Sequence, residues 1–179
     1  MASTATYPID GGCDCGYVRY RLESAPLYTH CCHCRWCQRE TGSAFVLNAL
    51  IESDRVTVLE GQTDLVHTPT LSGGGQRIAR CPKCRIALWS TYSGFGPWVR
   101  FVRVGTLDLL DAITPDIHIY TESKQAWFAL PPRAKAVPKY YDWLQSWPPE
   151  SLERFQAILP QVREYRAALR EQQQGAVKQ

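Results

Sequence analysis

All eight cysteines of this 179-residue chain fall into three tight clusters: Cys13-x-Cys15, Cys31-Cys32-His33-Cys34-Arg35-Trp36-Cys37 and Cys81-Pro82-Lys83-Cys84. The second half of the chain carries none. Thiols that merely fill a core are not gathered in this way. C-x-x-C twice, with a C-x-C ahead of them, is the pattern of thiolate metal ligation. The first constraint on the fold is therefore that distant segments must meet at a metal.

At 20.3 kDa the chain is long enough for one cored domain with an appendage. Its 45% hydrophobic and 21% charged residues are ordinary for a globular protein. No apolar run of the ~20 residues needed to span a bilayer occurs, so no membrane is expected. The first residues, Met1-Ala-Ser-Thr-Ala-Thr6, have neither a basic nor an apolar leader region. Thiols clustered at metal spacing suit a reducing compartment, so a cytoplasmic location is expected. The formal charge of +3 comes with no Lys/Arg run, so no nucleic-acid partner is expected.

Residues 1–9 read as a lead-in. From Gly11 to about Leu107 short β-like runs alternate with turns: Tyr17–Leu22, the more buried Ser43–Ile51, Arg55–Leu59 and Trp98–Val104. Ser72-Gly73-Gly74-Gly75 reads as a hairpin tip or loop. No useful helical period precedes Pro138. Beyond it, Lys139–Leu144 reads as a short helix, Pro148–Leu159 as a second and Gln161–Glu171 as a third. Pro160 is expected to break or kink the last join, and Gln172–Gln179 to fray. Two units result: a zinc-holding β domain over 9–130 and a helical extension over 131–179.

Cys13, Cys15, Cys81 and Cys84 form two close pairs that can share one ion. Gly11-Gly12 would permit the sharp backbone that a C-x-C turn requires. Four thiolates make a closed tetrahedral site, which is structural, and its binding energy is folding energy. A redox dithiol at Cys81–Cys84 would leave the first pair unexplained.

Cys32-x-Cys34-x-x-Cys37 offers three thiolates in six residues. The fourth position is open to Cys31, a histidine or water, and Cys31 is awkward because adjacent side chains diverge in extended backbone. Three ligands with an open position let a zinc do chemistry. His33 is a candidate fourth ligand, outer-shell donor or proton carrier, and His30 and His67 have weaker claims. A second purely structural zinc is the competing reading.

These cysteines, with Gly-x-Cys-x-Cys at 11–15, Cys-His-Cys-x-x-Cys at 32–37, Thr41-Gly-Ser-Ala-Phe45 and Pro115-Asp-Ile-His-Ile-Tyr120 leading to Trp127, carry a resemblance. The chain resembles the glutathione-dependent formaldehyde-activating enzyme family, which also includes centromere protein V, over roughly residues 9 to 128. That resemblance implies an all-β fold of small antiparallel sheets around a structural zinc, tent-like in shape, here with a short helical C-terminal tail. It implies two zinc ions per chain: a structural one on Cys13, Cys15, Cys81 and Cys84, and a catalytic one on Cys32, Cys34 and Cys37. It implies a carbon–sulfur lyase that joins glutathione and formaldehyde into S-hydroxymethylglutathione, or handles a related small carbonyl substrate. His33 is the candidate proton carrier at that site, while His118 is expected to orient the pocket or a strand end, opposite Ile117 and Ile119.

Two departures from the family pattern stand out. Cys31 is an extra thiol, open to oxidation or to competition for metal. Arg85 replaces a glycine common after the second C-x-x-C, so that turn is expected to be relaxed or shifted. Arg35, Arg77 and Arg80 are available to bind the carboxylates of glutathione. Trp36, Trp89, Trp98 and Trp127 are candidates for a pocket wall, and Trp143 and Trp147 for covering the body or a second copy in a homodimer. The competing functional class is a non-catalytic zinc module that binds a protein partner. A fourth protein ligand and no cavity would favour that class.

Overall fold

The computed structural model describes residues 5–70, 74–109 and 111–177. Two sheets form the body of the fold. A three-stranded antiparallel sheet pairs β1 (Ile9–Gly12), β2 (Arg19–Leu22) and β5 (Val56–Glu60), with β2 in the middle. The larger sheet runs β10 (Ile117–Ile119), β3 (Tyr28–Cys32), β4 (Val46–Glu52), β9 (Val99–Arg103), β8 (Ala87–Tyr92), β7 (Gln76–Arg80), β6 (Asp64–Thr68). Every neighbouring pair in it is antiparallel except β10 with β3, which is parallel.

The large sheet separates two cores. On one face Ala49, Ile51 and Val102 meet Ile9, Tyr20 and Leu22 of the small sheet. On the other, Leu50, Val99 and Phe101 meet Ile117, Ile119, Trp147 and Phe155. Because successive side chains of a strand point to opposite faces, β4 contributes to both cores. Its largely apolar sequence, interrupted only by Asn48 and ended by Glu52, reflects a strand covered on both sides.

The helical predictions need three corrections. A short helix, α1 (Arg35–Thr41), follows the second cysteine cluster directly. Seven residues are too few to show a period, but the helix has both its caps. Cys34 is the N-cap, its sulfur accepting from the Cys37 amide at 3.3 Å, and Gly42 closes the other end in the left-handed conformation. The helix expected from Lys139 begins only at Trp143 as α2 (Trp143–Ser146), where Asp142 supplies the cap.

The last two expected helices are one, α3 (Pro149–Val177), with Pro160 inside it. Proline removes the hydrogen bond to the carbonyl four residues back. Here that residue, Gln156, is exposed, so water can take the lost acceptor. The helix also runs past Gln172, where fraying was expected. Phe155 and Val162 bury one side of α3 in the second core, and Trp143 and Trp147 pack on Phe155. Ser72 and Gly73 of the glycine-rich turn lie outside the described residues, and Gly74 and Gly75 lead into β7. Among the described residues no helix is long and apolar enough to cross a membrane.

Candidate metal centres and their cavity

The small sheet and the β7–β8 turn bring the first and third cysteine clusters together. The sulfurs of Cys13, Cys15, Cys81 and Cys84 lie within 4.8 Å of one another. Cys15 stands 3.5 Å from Cys13 and 3.7 Å from Cys81. A tetrahedron of ~2.3 Å metal–sulfur bonds requires sulfurs about 3.8 Å apart, whereas a disulfide needs ~2.05 Å. The four thiols therefore fit a tetrahedral ion and not a disulfide. Backbone amides turn toward the sulfurs: Val18 donates to Cys13 at 3.2 Å and Lys83 to Cys81 at 3.4 Å. The amides of Ile86 and Cys15 hold the Cys84 thiol down to about 6, favouring the thiolate that a metal takes.

The tight turn of this centre is made differently from the expectation. Gly11 and Gly12 are extended residues of β1. A side chain at Gly12 would stand 2.5 Å from the Val18 carbonyl, so the glycine serves close approach. The sharp backbone lies at Gly16, φ +73°, whose amide closes on Cys13. Arg85 likewise does not relax its turn. It adopts φ +66° itself, its amide bonding the Cys81 carbonyl at 3.0 Å while its guanidinium pairs with Asp64 at 2.5 Å.

The second cluster spans the end of β3 and the start of α1. Cys32, Cys34 and Cys37 form another group with sulfurs inside 4.8 Å, and among the described residues no fourth ligand joins them. Cys32 and Cys37 are buried and Cys34 half-buried. The thiols of Cys32 and Cys37 share hydrogen bonds with Cys34 and, with the amides of Cys37 and Trp36, hold it far below the usual thiol range. Cys32 is driven upward by its hydrogen bonds with Cys34 and Cys37 and by burial. The helix N-terminus thus concentrates negative charge on its own capping sulfur.

Strand pleating sorts the neighbours. His30 and Cys32 face one side, into a cavity of about 440 Å³ that Cys34, Cys37 and Trp36 also line. Cys31 and His33 face the other side. There His33 Nε2 lies 3.0 Å from His118 Nδ1 and 3.5 Å from the Cys31 sulfur. These three are the third Cys/His group of the molecule. The imidazoles are directly hydrogen-bonded, and burial pushes the Cys31 thiol up to about 12 and His33 down to about 4. Cys31 is thus a buried neutral thiol turned away from the other three, not a competitor among them. His33 is 0% exposed and does not line the cavity, whereas His30 does. His118 faces away from Ile117 and Ile119, toward His33 and Phe128. His67 lies on β6, in the wall of a smaller neighbouring recess.

Of the four candidate wall tryptophans, Trp36 alone lines the cavity; Trp89 packs on Tyr20 in the first core, Trp98 is exposed, and Trp127 is 73% exposed. Arg35, Arg77 and Arg80 do not line it. Arg35 bonds Gln38 at 2.8 Å, Arg80 pairs with Glu40 of α1, and Arg77 is exposed on β7. A residue the sequence did not single out is Arg103, 6% exposed behind the cavity. It donates to Asn48 and, at 3.1 Å, to Ser90. It has no carboxylate partner among the described residues, while Asn48 reaches the cavity wall.

Comparison with known proteins agrees with the cysteine pattern. No curated protein is significantly similar to the chain. A crystal structure of a Rhodobacter sphaeroides protein is similar at 20% identity and a TM-score of 0.45, covering 60% of this chain and 92% of that one. The family described as glutathione-dependent formaldehyde-activating enzyme matches residues 8–123. That match spans both cysteine centres and more than half of the sequence, and the chain belongs to this family.

Proposed function

We propose that the protein is a zinc-dependent carbon–sulfur lyase-type enzyme that forms or cleaves a thiol–aldehyde adduct. The family's named pair is glutathione and formaldehyde, and a related small carbonyl compound is the alternative substrate. The observation that carries the reading is the contrast between the two centres. Four thiols close one of them, whereas three thiols at the floor of a cavity leave the other open to a ligand. The competing reading, a non-catalytic binding module, has no use for such a cavity. In this proposal Cys13, Cys15, Cys81 and Cys84 hold a structural zinc and Cys32, Cys34 and Cys37 a second zinc, two per chain, in a protein of the reducing cytoplasm. Residues 9–130 form the zinc-binding domain and 131–179 an extension docked on it.

The reaction needs no oxidant. A thiol sulfur bonds to the carbonyl carbon, the C=O π pair moves to oxygen, and the thiol proton ends on that oxygen; cleavage reverses each step. A bound zinc supplies a thiolate at neutral pH and polarises an oxygen. The chain's own groups then have distinct tasks. The aromatic wall of Trp36, Tyr92 and buried Phe101 gives the reacting groups an apolar surface on one side. His30, held neutral at about 3 first by burial and then by the charge of Arg103, places an uncharged imidazole in the wall as a hydrogen-bonding group and not as a base. His33, with Nε2 engaged by His118, holds β3 against β10 beneath the cysteines.

The test is metal quantification on the wild type and on Cys34→Ser, with an assay of thiol-dependent aldehyde consumption. Two zinc ions falling to about one, with the fold kept and activity lost, is the expected result. Activity that survives loss of the second zinc overturns the reading.

A further inference from the structure

The cavity above Cys32, Cys34 and Cys37 carries information about charge. Its wall is built from Trp36, Tyr92, Phe101, Ile119, Tyr120 and Tyr140, drawn from α1, β8, β9, β10 and the segments beyond. Among the described residues no lysine, arginine, aspartate or glutamate lines it. Glutathione brings two carboxylates and one ammonium. An ionised group that leaves water without a partner carries a heavy desolvation penalty.

The same wall holds polar groups suited to something else. Gln76 is 2% exposed, and among the described residues neither its amide nitrogen nor its amide oxygen has a partner. His30 is 3% exposed, with Nδ1 likewise unpartnered. Both residues line the cavity. Buried polar atoms normally find partners, and a free carboxamide asks for a ligand group that can both donate and accept. Ring walls around such a group favour a flat apolar body, by stacking and edge contacts.

We propose that this cavity selects an uncharged aromatic thiol or aldehyde, ideally bearing a neutral amide or hydroxyl that meets Gln76, in preference to the doubly carboxylated tripeptide. The inference rests on the adduct-forming reading above and narrows its substrate. Ordinary lyase chemistry at this site then runs with an aryl or benzylic thiol as the sulfur donor, or with an aromatic aldehyde as the carbon acceptor. Arg35, Arg77 and Arg80 play no part in holding that substrate.

The experiment uses the full chain loaded with zinc, with metal content measured first. Benzyl mercaptan, its 4-carboxamide derivative and glutathione are titrated by calorimetry. Benzyl mercaptan is expected to bind about 10-fold or more tightly than glutathione. The carboxamide should gain roughly a further 5-fold, and that gain should vanish in Gln76→Leu while metal content stays unchanged. Glutathione binding as tightly as benzyl mercaptan, or no binding of either aromatic thiol to two-zinc protein, overturns the inference and leaves the metal assignment standing. A chain that holds a single zinc overturns the assignment itself, and the substrate inference falls with it.

Discussion

His33 Nε2 and His118 Nδ1 meet at 3.0 Å with their rings nearly parallel, 21° apart, in a buried pair that spans two strands 85 residues apart in sequence. One ring donates and the other accepts, and burial lowers both groups, which keeps the pair neutral. His33 Nδ1 already lacks a protein partner. His118→Ala therefore leaves His33 hydrogen-bonded to nothing stronger than the Cys31 thiol. The expected loss is about 2–4 kcal/mol, from an unsatisfied buried ring and the cavity left behind. Urea unfolding of the zinc-loaded protein measures it, and a loss below ~1 kcal/mol would mean the pair is not a structural clamp.

The same burial sets a pH dependence. His33 is lowered to about 4, His30 to about 3, and His118 is lowered too, each chiefly by burial. Their unfolded values lie near 6.5. Below that value the unfolded chain binds protons that the folded chain refuses, so stability falls as pH drops from about 6.5 toward the folded values. Each histidine contributes up to about 1.4 kcal/mol per pH unit in that window. His30→Phe keeps the ring contacts with Phe101 and Tyr141 but removes one titrating group. Its stability should therefore fall less steeply between pH 6 and 5, by about that amount, in unfolding curves taken at saturating zinc.

Cys34 has two tasks that a substitution can separate. It belongs to the three-thiol group, and it caps α1. Serine is a good cap and a poor soft ligand, while alanine is neither. Cys34→Ser and Cys34→Ala should lose the same metal, but alanine should cost about 1 kcal/mol more in folding stability. Equal stabilities in denaturant would show that the sulfur does not cap the helix.

Arg103 is a buried cation without a carboxylate. Its natural counter-charge is the anionic three-thiolate centre on the other side of Asn48. Arg103→Met is expected to loosen metal at that centre by about 10-fold while sparing the four-cysteine site. Chelator competition resolves the two by their release kinetics. Loss at both sites, or at neither, would refute this role.

Gly96 ties the C-terminal helix to the sheet. Its φ is +62°, and an added Cβ would lie 2.7 Å from Tyr165 Cδ1 of α3. Gly96→Ala should destabilise by roughly 2–4 kcal/mol, through a left-handed alanine and a helix pushed outward. In a Tyr165→Ala background the steric part disappears and the backbone part remains. A double-mutant cycle should thus show coupling of about 1–2 kcal/mol. Coupling near zero would mean that α3 moves away without cost.

Local chemistry was the legible part of this sequence. Cysteine spacing gave both thiol groups that could hold a metal, because side chains two and three residues apart converge wherever the chain goes. Alternation gave β2, β5 and β9, and a mostly apolar run gave β4. Contacts between distant residues were hidden. Nothing in Ile117-His118-Ile119 names His33 as its partner, and nothing near Arg103 says that its charge lies buried behind a cavity. α1 escaped because about two turns cannot show a period, although a thiol cap and Gly42 marked its ends. Pro160 misled because its cost depends on whether the freed carbonyl meets water, which a sequence does not state. The cavity wall, drawn from several separate elements, was the least legible of all.

β3 ends on Cys31 and Cys32, one turned to the imidazole pair and the other to the cavity. The strand therefore carries two alternative donor sets in one stretch of chain, a soft thiol set on one side and a thiol–imidazole set on the other. The ladder of hydrogen bonds to β4 and β10 decides which set faces substrate, through pairs such as Cys32 with Val46 and Ile119. A slip of a single residue would exchange them and put a histidine-bearing, less anionic set into the cavity. Chemical identity at this site is thus written partly in pairing register, and a lineage could change its reactivity by moving a strand without altering any ligand.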